Sequence, residues 1–410
     1  MTNRLRVVVV GGSLGGLFAA NMLHRANCDV LVYERVPEEL AGRGAGIVTH
    51  DELHDALRAS GVTVDDSLGI RIPGRRAIAP SGQVTAAYSL PQIVTSWGHL
   101  HRLLREAFPK ERFMGGHEVI AIEPGTDTTC VRFANGASSS ASLVIAADGV
   151  RSTIRAQLFP DDKPRYAGYV GWRGMMEESE FSTRAHAELF HDLTFCLLNG
   201  EQFLGYPVAG PEDGLMPGKR RYNWVWYRPA AEDGALQDLL TDTSGKRHPD
   251  GIPPQLIRPE HVAALRRDAV RLVSPEFAEV AARTKQPFFQ PIVDLESSKI
   301  VAPGVALIGD AAFVARPHCG MGVTKAAGDA MALTRAIRTN PGDLGRALQA
   351  YENERLQFGR FIVDHARRLG SFMRAGQMTS EQRRLHDRYS QGEAVITEFA
   401  LPPLTSPHPA

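Results

Sequence analysis

A glycine-rich turn near the start of the chain has the residue types that bind a pyrophosphate. Gly11, Ser13 and Gly16 follow a short apolar run and precede a stretch with apolar residues at helical spacing. Glycines let a phosphate approach the backbone, and the first turn of a helix offers free N–H groups and a positive dipole end. Ser13 stands where the usual pattern has its second glycine, and its hydroxyl can itself bond a phosphate oxygen.

An acidic residue after the next apolar run supports this interpretation. Glu34 closes that run at a distance from the turn where a carboxylate accepts the hydroxyls of an adenosine ribose. Arg35, its neighbour, can cover the adenine or a phosphate. A carboxylate on the ribose excludes a 2′-phosphate, so this site does not suit NADP. The turn and the acid predict an adenine dinucleotide rather than a purely structural βαβ unit, and they leave FAD and NAD open.

Two later segments repeat a pattern in which an acid follows a buried strand. The first comes after the apolar run 143–147 and the second after the run 305–308. A plain NAD dehydrogenase requires neither of them. The residues concerned are Asp148 and Gly149 with Arg151 and Arg155 one helical turn apart, then Gly309 and Asp310, then the helix opening at Pro317, His318, Cys319, Gly320, Met321 and Gly322.

These three motifs, in this order and spacing, resemble the class A FAD-dependent aromatic hydroxylases, the p-hydroxybenzoate hydroxylase superfamily. The resemblance spans residues 4 to 340. Five short segments are similar to the branch of this superfamily that hydroxylates dihydroxypyridines. These segments are Gly11-Gly12-Ser13, Thr95-Ser96 before an aromatic residue, Tyr166-Ala167-Gly168-Tyr169-Val170, Trp172-Arg173-Gly174 and Arg316-Pro317-His318.

The resemblance implies non-covalent FAD, NADH or NADPH as co-substrate, and a C4a-hydroperoxyflavin that carries the chemistry. It assigns Asp310 to a ribityl hydroxyl, the N–H groups near Gly322 and Val323 to the flavin pyrimidine edge, and Pro317 to the side where the substrate docks. Arg151 is either a cofactor contact or a structural partner of Asp148. The predicted FAD contacts are Gly11, Ser13, Leu14, Gly16, Glu34, Arg35, Arg43, Asp148, Gly309, Asp310, Gly320, Gly322 and Val323.

One position departs from the family pattern. Most relatives carry an arginine before the helix at Leu100, and here that position is Trp97. The contact that this arginine makes to phosphate or ribityl must come from elsewhere, and Arg43 and Arg102 are the candidates. Trp97 itself is equally compatible with a place in the core.

The predicted substrate is a small, electron-rich aromatic ring, with O₂ as the second reactant. A hydroxypyridine-type N-heterocycle is favoured, and a hydroxybenzoate or salicylate-like acid held by Arg173 is the alternative. A flavin halogenase and a non-catalytic dinucleotide-binding protein are less favoured, because Tyr227-Arg228-Pro229 breaks the halogenase element and nothing specific supports a regulator. The candidate catalytic residues are His318, Pro317, Tyr206 and His191, with Tyr169 and Trp226 as further aromatic candidates that are equally compatible with core packing.

The elements that must position these residues predict an α/β fold. It consists of a Rossmann-like, GR2-type FAD-binding domain, an interleaved antiparallel β-sheet domain for the substrate, and C-terminal helices. Helical structure is expected over 259–283, a long amphipathic helix over 343–375, and surface loop over 232–256. The predicted domains are 1–72, 94–165 and 290–342 for FAD, 73–93 and 166–289 for the substrate, 343–400 for the helical region and 401–410 for a disordered tail.

Composition excludes several other classes of function. The chain has 410 residues with 46 basic and 46 acidic side chains, so no basic excess favours nucleic acid. Cys28, Cys130, Cys196 and Cys319 have no C-x-x-C spacing, so no metal site is expected. No apolar stretch approaches the roughly 20 residues of a membrane helix. We therefore expect a cytoplasmic enzyme without nucleic-acid or membrane partners, and a homodimer stays open.

Overall fold

The fold is given by a computed structural model, which describes residues 4–37, 46–373 and 378–401. Its strands, numbered along the chain, are β1 Arg6–Val10, β2 Asp29–Tyr33, β3 Gly46–Val48, β4 Ile70–Ile78, β5 Val84–Ser96, β6 Phe113–Met114, β7 Val119–Pro124, β8 Thr129–Phe133, β9 Ser138–Ala141, β10 Leu143–Ala146, β11 Arg165–Glu177, β12 Leu193–Leu198, β13 Glu201–Val208, β14 Arg221–Pro229, β15 Phe288–Glu296, β16 Val301–Ala302, β17 Val305–Leu307 and β18 Phe313–Val314. Its helices are α1 Leu14–Arg25, α2 Asp51–Ala59, α3 Trp97–Ala107, α4 Thr153–Leu158, α5 Thr183–Leu189, α6 Ala235–Leu239, α7 Pro259–Leu272, α8 Pro275–Arg283, α9 Gly322–Thr339, α10 Leu344–Leu369, α11 Ser380–Tyr389 and α12 Gly392–Glu398.

A mainly parallel sheet, called the parallel sheet below, forms the first layer, and its strand order within the described ranges is β16-β17-β10-β1-β2-β6. Its edge strand β16 pairs with β17 in antiparallel register. The β1, β2 and β10 strands pair in parallel register, as the βαβ pattern predicts. The apolar runs of β1 and β10 are buried on both faces, because helices cover both sides of such a sheet. This arrangement confirms the predicted α/β, Rossmann-like fold class.

A larger sheet, called the large sheet below, has the order β18-β15-β11-β14-β13-β12-β4-β5-β3 in the described part of the chain. Its pairs are antiparallel except that of β12 with β4. Side chains alternate between its two faces, as the pleat of a strand requires. On β14, Trp224 and Trp226 pack on α7 and α8 at one face, whereas Val225 and Tyr227 point to the other face.

Several elements differ from the expected ones. The helical structure expected over 259–283 consists of two helices, because Ser274 caps α8 and Pro275 cannot donate the hydrogen bond that would continue α7. The expected loop over 232–256 contains α6. Strands β7, β8 and β9 form a further antiparallel sheet that the sequence did not indicate.

The predicted domain bounds stay a prediction. Four of them fall inside strands of the large sheet: 72/73 in β4, 93/94 in β5, 165/166 in β11 and 289/290 in β15. The tail from residue 402 onward lies outside the described residues. None of the helices described is both long and apolar enough to cross a membrane.

Candidate functional site

The carboxyl ends of β1, β2 and β10 meet at a cavity of about 270 Å³, called the dinucleotide cavity below. Neighbouring parallel strands end at the same edge of a sheet, and ligands bind there. The cavity therefore collects predicted residues that are far apart in sequence. Those lining it are Gly11, Ser13, Glu34, Arg35, Asp148, Gly149 and Arg151, together with Trp97.

The glycine turn allows the chain to pass closely between its neighbours. Gly11 has a φ of +109°, and a Cβ on it would lie 2.3 Å from the carbonyl oxygen of Ala147. A Cβ on Gly16 would lie 1.9 Å from the carbonyl oxygen of Gly11. Because neither position accepts a side chain, α1 begins directly at the cavity, with Leu14 buried as its first residue.

The polar groups of this cavity retain capacity for a ligand. The Glu34 carboxylate accepts hydrogen bonds from the N–H of Gly12 at 2.7 Å and of Val36 at 3.0 Å, which fix its position at the rim. Ser13 stands at the N-cap position of α1, but its side chain makes no capping hydrogen bond to a described residue. Asp148 accepts from the N–H of Ile154, its other oxygen is buried without a described partner, and desolvation raises its pKa.

The candidates around Trp97 are arranged differently. Trp97 lines the cavity and stacks on His101 with ring centroids 4.8 Å apart. Arg102 pairs with Asp213 and lies 3.2 Å from Glu106, and it lines neither this cavity nor the one described next. The other candidate, Arg43, lies outside the described residues. Arg151 contacts Asp250 at 3.5 Å, and no contact of it with Asp148 is observed in the described chain.

A second cavity of about 240 Å³, called the ring cavity below, lies between the large sheet and the segment 309–323. Side chains alternate between the two faces of a strand, so the residues that face this cavity lie on the side of the large sheet opposite the tryptophans of β14. They are Arg173 of β11, Leu193 and Phe195 of β12, Leu204 and Tyr206 of β13, and Asn223, Val225 and Tyr227 of β14.

The other wall of the ring cavity comes from the segment that opens α9. It contributes Asp310, Pro317, His318, Gly320, Gly322 and Val323. The N-terminus of α9 has no side-chain cap from the described residues, and a Cβ on Gly322 would meet no atom within 4 Å. The Asp310 side chain is exposed to the cavity, and desolvation by the protein around it raises its pKa.

A buried charge cluster that the sequence did not indicate holds this wall in place. The Asp329 carboxylate accepts hydrogen bonds from the N–H of Gly309 at 2.9 Å and from Arg355 at 2.7 Å. The Lys325 ammonium lies 3.8 Å from the same carboxylate and is buried. The cluster fixes the backbone of Gly309, so the side chain of the adjacent Asp310 is presented to the ring cavity.

His318 is the polar centre of the ring cavity. Its Nε2 lies 2.7 Å from the hydroxyl of Tyr169, and its Nδ1 is buried without a described partner. Desolvation, aided by the charges of Arg316 and Arg173, lowers the pKa of His318 well below its usual value. Burial raises the pKa of Tyr227 to about 12, and the pKa of Tyr206 is raised for the same reason. At neutral pH these side chains are therefore uncharged hydrogen-bonding groups.

Arg173 differs from every other arginine near this cavity. No hydrogen bond or ion pair joins it to a described residue, and its Nε is buried without a partner. With His318 neutral, it is the only cation among the described residues that line the ring cavity. An unpaired guanidinium in a largely apolar cavity is suited to bind an anionic ligand.

Some sequence-based candidates lie elsewhere. His191 is exposed and contacts His186 edge-on, so the structure does not bring it to the ring cavity. Trp226 packs into the core on the opposite face of the sheet. Conversely, Phe399 and Ala400 line the cavity, although the sequence placed them at the end of a helical region.

The two cavities together fit FAD. Each has an uncapped helix N-terminus, α1 at the dinucleotide cavity and α9 at the ring cavity, where negative charge is favoured. Glu34 lines the dinucleotide cavity and Asp310 the ring cavity, which agrees with the predicted contacts to the ribose and to the ribityl chain. The unsatisfied oxygen of Asp148 and the unbonded hydroxyl of Ser13 lie where such a ligand passes.

Comparison with known proteins gives consistent matches. Residues 9–64 match an NAD(P)-binding Rossmann-like domain and residues 166–294 match an FAD binding domain-like family. The chain is 32% identical to 2,6-dihydroxypyridine 3-monooxygenase of Paenarthrobacter nicotinovorans, over 90% of this chain and 92% of that protein.

Solved structures agree with these matches. The crystal structure of 2,6-dihydroxypyridine-3-hydroxylase from Arthrobacter nicotinovorans has a TM-score of 0.87 and 30% identity, and the match covers 100% of both chains. A Klebsiella pneumoniae protein crystallised with FAD has a TM-score of 0.74 and 25% identity, with 96% of this chain and 94% of that chain covered.

Proposed function

The chain belongs to the FAD-dependent aromatic monooxygenases, and from that premise we propose that it hydroxylates a small hydroxylated N-heteroaromatic ring, bound as an anion. The observation that carries this proposal is Arg173, the unpaired cation in the ring cavity. A relative that acts on 2,6-dihydroxypyridine supports the choice of ring. An acidic hydroxyl on such a ring ionises, and the resulting oxygen anion can pair with the guanidinium of Arg173.

Bound FAD, reduced by NADH or NADPH, supplies the activation of O₂, so that one oxygen atom enters the ring and the other leaves as water. The residues of this chain hold the ring for that reaction. Arg173 binds the ionised oxygen of the substrate and stabilises its charged form. That form is the reactive one, because an ionised hydroxyl raises the electron density at its ortho and para carbons.

The remaining groups of the ring cavity orient the substrate and exclude water. His318 contributes an uncharged imidazole ring to the wall, and the hydroxyl of Tyr169 fixes its position through Nε2. Tyr206 and Tyr227 keep their hydroxyl protons, because burial raises the pKa of both. Pro317 and the apolar side chains Leu193 and Phe195 contribute walls without charge.

A substrate panel tests the proposal. The FAD-loaded protein is incubated with hydroxypyridines, hydroxynicotinates and hydroxybenzoates, with NADH or NADPH and ¹⁸O₂. We expect a hydroxypyridine to stimulate nicotinamide oxidation and to gain one labelled oxygen. Label in a benzoate product, with no turnover of any pyridine, would overturn the ring assignment and leave the enzyme class intact.

A hydroxybenzoate or salicylate-like acid is the second candidate, and the same observation favours it. A carboxylate is the partner that a guanidinium binds most strongly, through two parallel hydrogen bonds. Hydroxynicotinates carry both a pyridine nitrogen and a carboxylate. The relative rates with hydroxypyridines, hydroxynicotinates and hydroxybenzoates therefore separate the contribution of the ring nitrogen from that of the carboxylate.

We further propose that the enzyme acts in the cytoplasm, and a homodimer is the assembly that is left open for experiment. The formal net charge of zero gives no surface excess for nucleic acid, which is consistent with a small-molecule enzyme. Fractionation of the producing cells tests the location. Light scattering of the eluting FAD-loaded protein tests the dimer, and a monomer mass at micromolar concentration would refute it.

A further inference from the structure

The segment Phe399–Leu401 separates the ring cavity from another cavity of about 430 Å³, called the outer cavity below. Phe399 and Ala400 line the ring cavity, whereas Leu401 lines the outer one. The outer cavity opens at the surface, since Asp51 and Arg71 in its wall are exposed. A wall formed by a segment of only three residues therefore separates the proposed substrate site from the outer cavity.

This wall is held by side chains from elsewhere in the chain. The carbonyl oxygens of Phe399 and Ala400 both accept hydrogen bonds from the guanidinium of Arg75, at 2.9 Å for Ala400. The imidazole of His50 lies 3.1 Å from the Ala400 carbonyl oxygen. The N–H of Ala400 donates to the carbonyl of His318 at 2.8 Å. The segment belongs to no strand or helix and depends on these contacts for its position.

Arg75 carries a buried charge that the packing of its strand does not require. It is 1% exposed, and within the described residues no carboxylate pairs with it. Its remaining contact is the side-chain oxygen of Gln92, 2.9 Å from its Nε. Desolvation lowers the pKa of Arg75 to about 9, so the side chain is still protonated at neutral pH. A buried charge met by neutral oxygens is unfavourable, and here its hydrogen bonds are used to hold the wall.

The backbone of the wall is strained as well. Ala400 has a φ of +49°, in the left-handed region that residues with a side chain rarely adopt. A Cβ on Gly320 would lie 2.7 Å from the Cα of Ala400, so only a glycine at 320 lets the segment pass. A strained segment that only a few long-range hydrogen bonds keep in place is typical of one that can move to a second position.

We propose that Phe399–Leu401 is a gate between the outer cavity and the ring cavity, and that Arg75 is the positioning residue that latches it. Closed, the gate completes the wall of the ring cavity, where the Phe399 ring lies 5.6 Å from that of His318. Open, it joins the two cavities and admits the substrate. The identity of that substrate rests on the proposed function, but the existence of the gate does not.

The test uses the FAD-loaded protein and two readouts that require no substrate. Iodide quenching of flavin fluorescence measures access to the ring cavity, and chymotrypsin cleavage after Phe399 measures exposure of the gate. We expect Arg75→Met to increase both several-fold, and Arg75→Lys to restore part of the protection. Arg76→Met is the matched control on the same strand, because Arg76 pairs with Asp192 at 2.9 Å and lines neither the outer cavity nor the ring cavity.

If Arg75→Met fails to fold, a chain that ends at Glu398 still tests the gate, because it lacks the gate segment. In this shortened chain we expect iodide to quench flavin fluorescence at least as strongly as in Arg75→Met. Stopped-flow mixing with 2,6-dihydroxypyridine should then show faster association and faster dissociation in the variants. Wild-type quenching and binding rates in the shortened chain, and wild-type quenching in a folded Arg75→Met, would overturn the gate. If quenching rises while no pyridine binds even to wild type, the gate stands and the substrate assignment falls.

Discussion

At the scale of single residues, the site depends on side chains whose hydrogen-bonding capacity the protein leaves unused. Glu34 and Asp310 are the acids assigned to the two ends of the cofactor. Glu34→Ala and Asp310→Ala should each weaken FAD binding by roughly 1.5–3 kcal/mol, the scale of a lost hydrogen bond to a charged group. Titration of the flavin-free protein with FAD measures this. Asp66→Ala, at an exposed ion pair, serves as control, and wild-type affinity in both variants would mean that the motifs are assigned wrongly.

Arg173 tests the charge of the substrate. Arg173→Gln should raise the KM for the ionised substrate roughly 10- to 100-fold, which corresponds to one lost charge-assisted interaction. FAD affinity should not change. Arg165→Gln, at an exposed position of the same strand, is the matched control. An unchanged KM in Arg173→Gln would remove the reason for an anionic substrate.

His318 makes stability depend on pH. Its pKa in the folded protein lies well below the unfolded value of 6.5, so the folded state binds its proton less readily. The folded protein should therefore lose stability as the pH falls below 6.5, by up to about 1.4 kcal/mol per pH unit for this group. Urea unfolding at pH 5.5 and 7.5 should give a smaller difference for His318→Gln than for wild type. The exposed His191→Gln should retain the wild-type difference, and equal differences in all three proteins would contradict this assignment.

At the scale of elements, helices α1 and α9 begin at the cavities without side-chain caps. Their first N–H groups are therefore free to bind a ligand. Gly322 begins α9, and its missing Cβ leaves open space on the cavity side. Gly322→Val should fold normally but displace the flavin ring. The expected result is uncoupling, in which NAD(P)H is oxidised and peroxide is released instead of product.

Peroxide and product yields per NAD(P)H consumed measure this uncoupling. Gly342→Val, after the end of α9, is a control for an added side chain away from the cavities. Because Gly342 has a φ of +81°, that control reports strain without a cofactor contact. Full coupling in Gly322→Val would count against the position assigned to the N-terminus of α9.

At the scale of the whole molecule, the parallel sheet and the large sheet each supply one cavity, so the cofactor stabilises their joint arrangement. The purified protein should be yellow and release FAD on heating, without flavin attached to the denatured chain. FAD at 100 times its dissociation constant should add about 2.7 kcal/mol to the free energy of unfolding. A thermal melt with and without added FAD measures this. FMN in the supernatant, or no change in melting temperature, would contradict the prediction.

The sequence by itself determined the dinucleotide cavity almost completely. Gly11, Ser13, Glu34 and Asp148 all lie at its wall, because each follows a buried strand and the ends of neighbouring parallel strands must meet. Local chemistry and one general rule of topology were sufficient there. Asp310 and Gly322 were assigned from the resemblance to the flavin hydroxylases, and both line the ring cavity.

Only the tertiary structure decided the rest of the ring cavity. His318 and Tyr206 were named from sequence with His191, but the pleat and pairing of the large sheet brought the first two inward and left the third exposed. Asp329, Arg75 and Phe399 were not indicated at all. Their partners lie far away in sequence, at separations that no local pattern reports, so their roles follow from packing between distant elements.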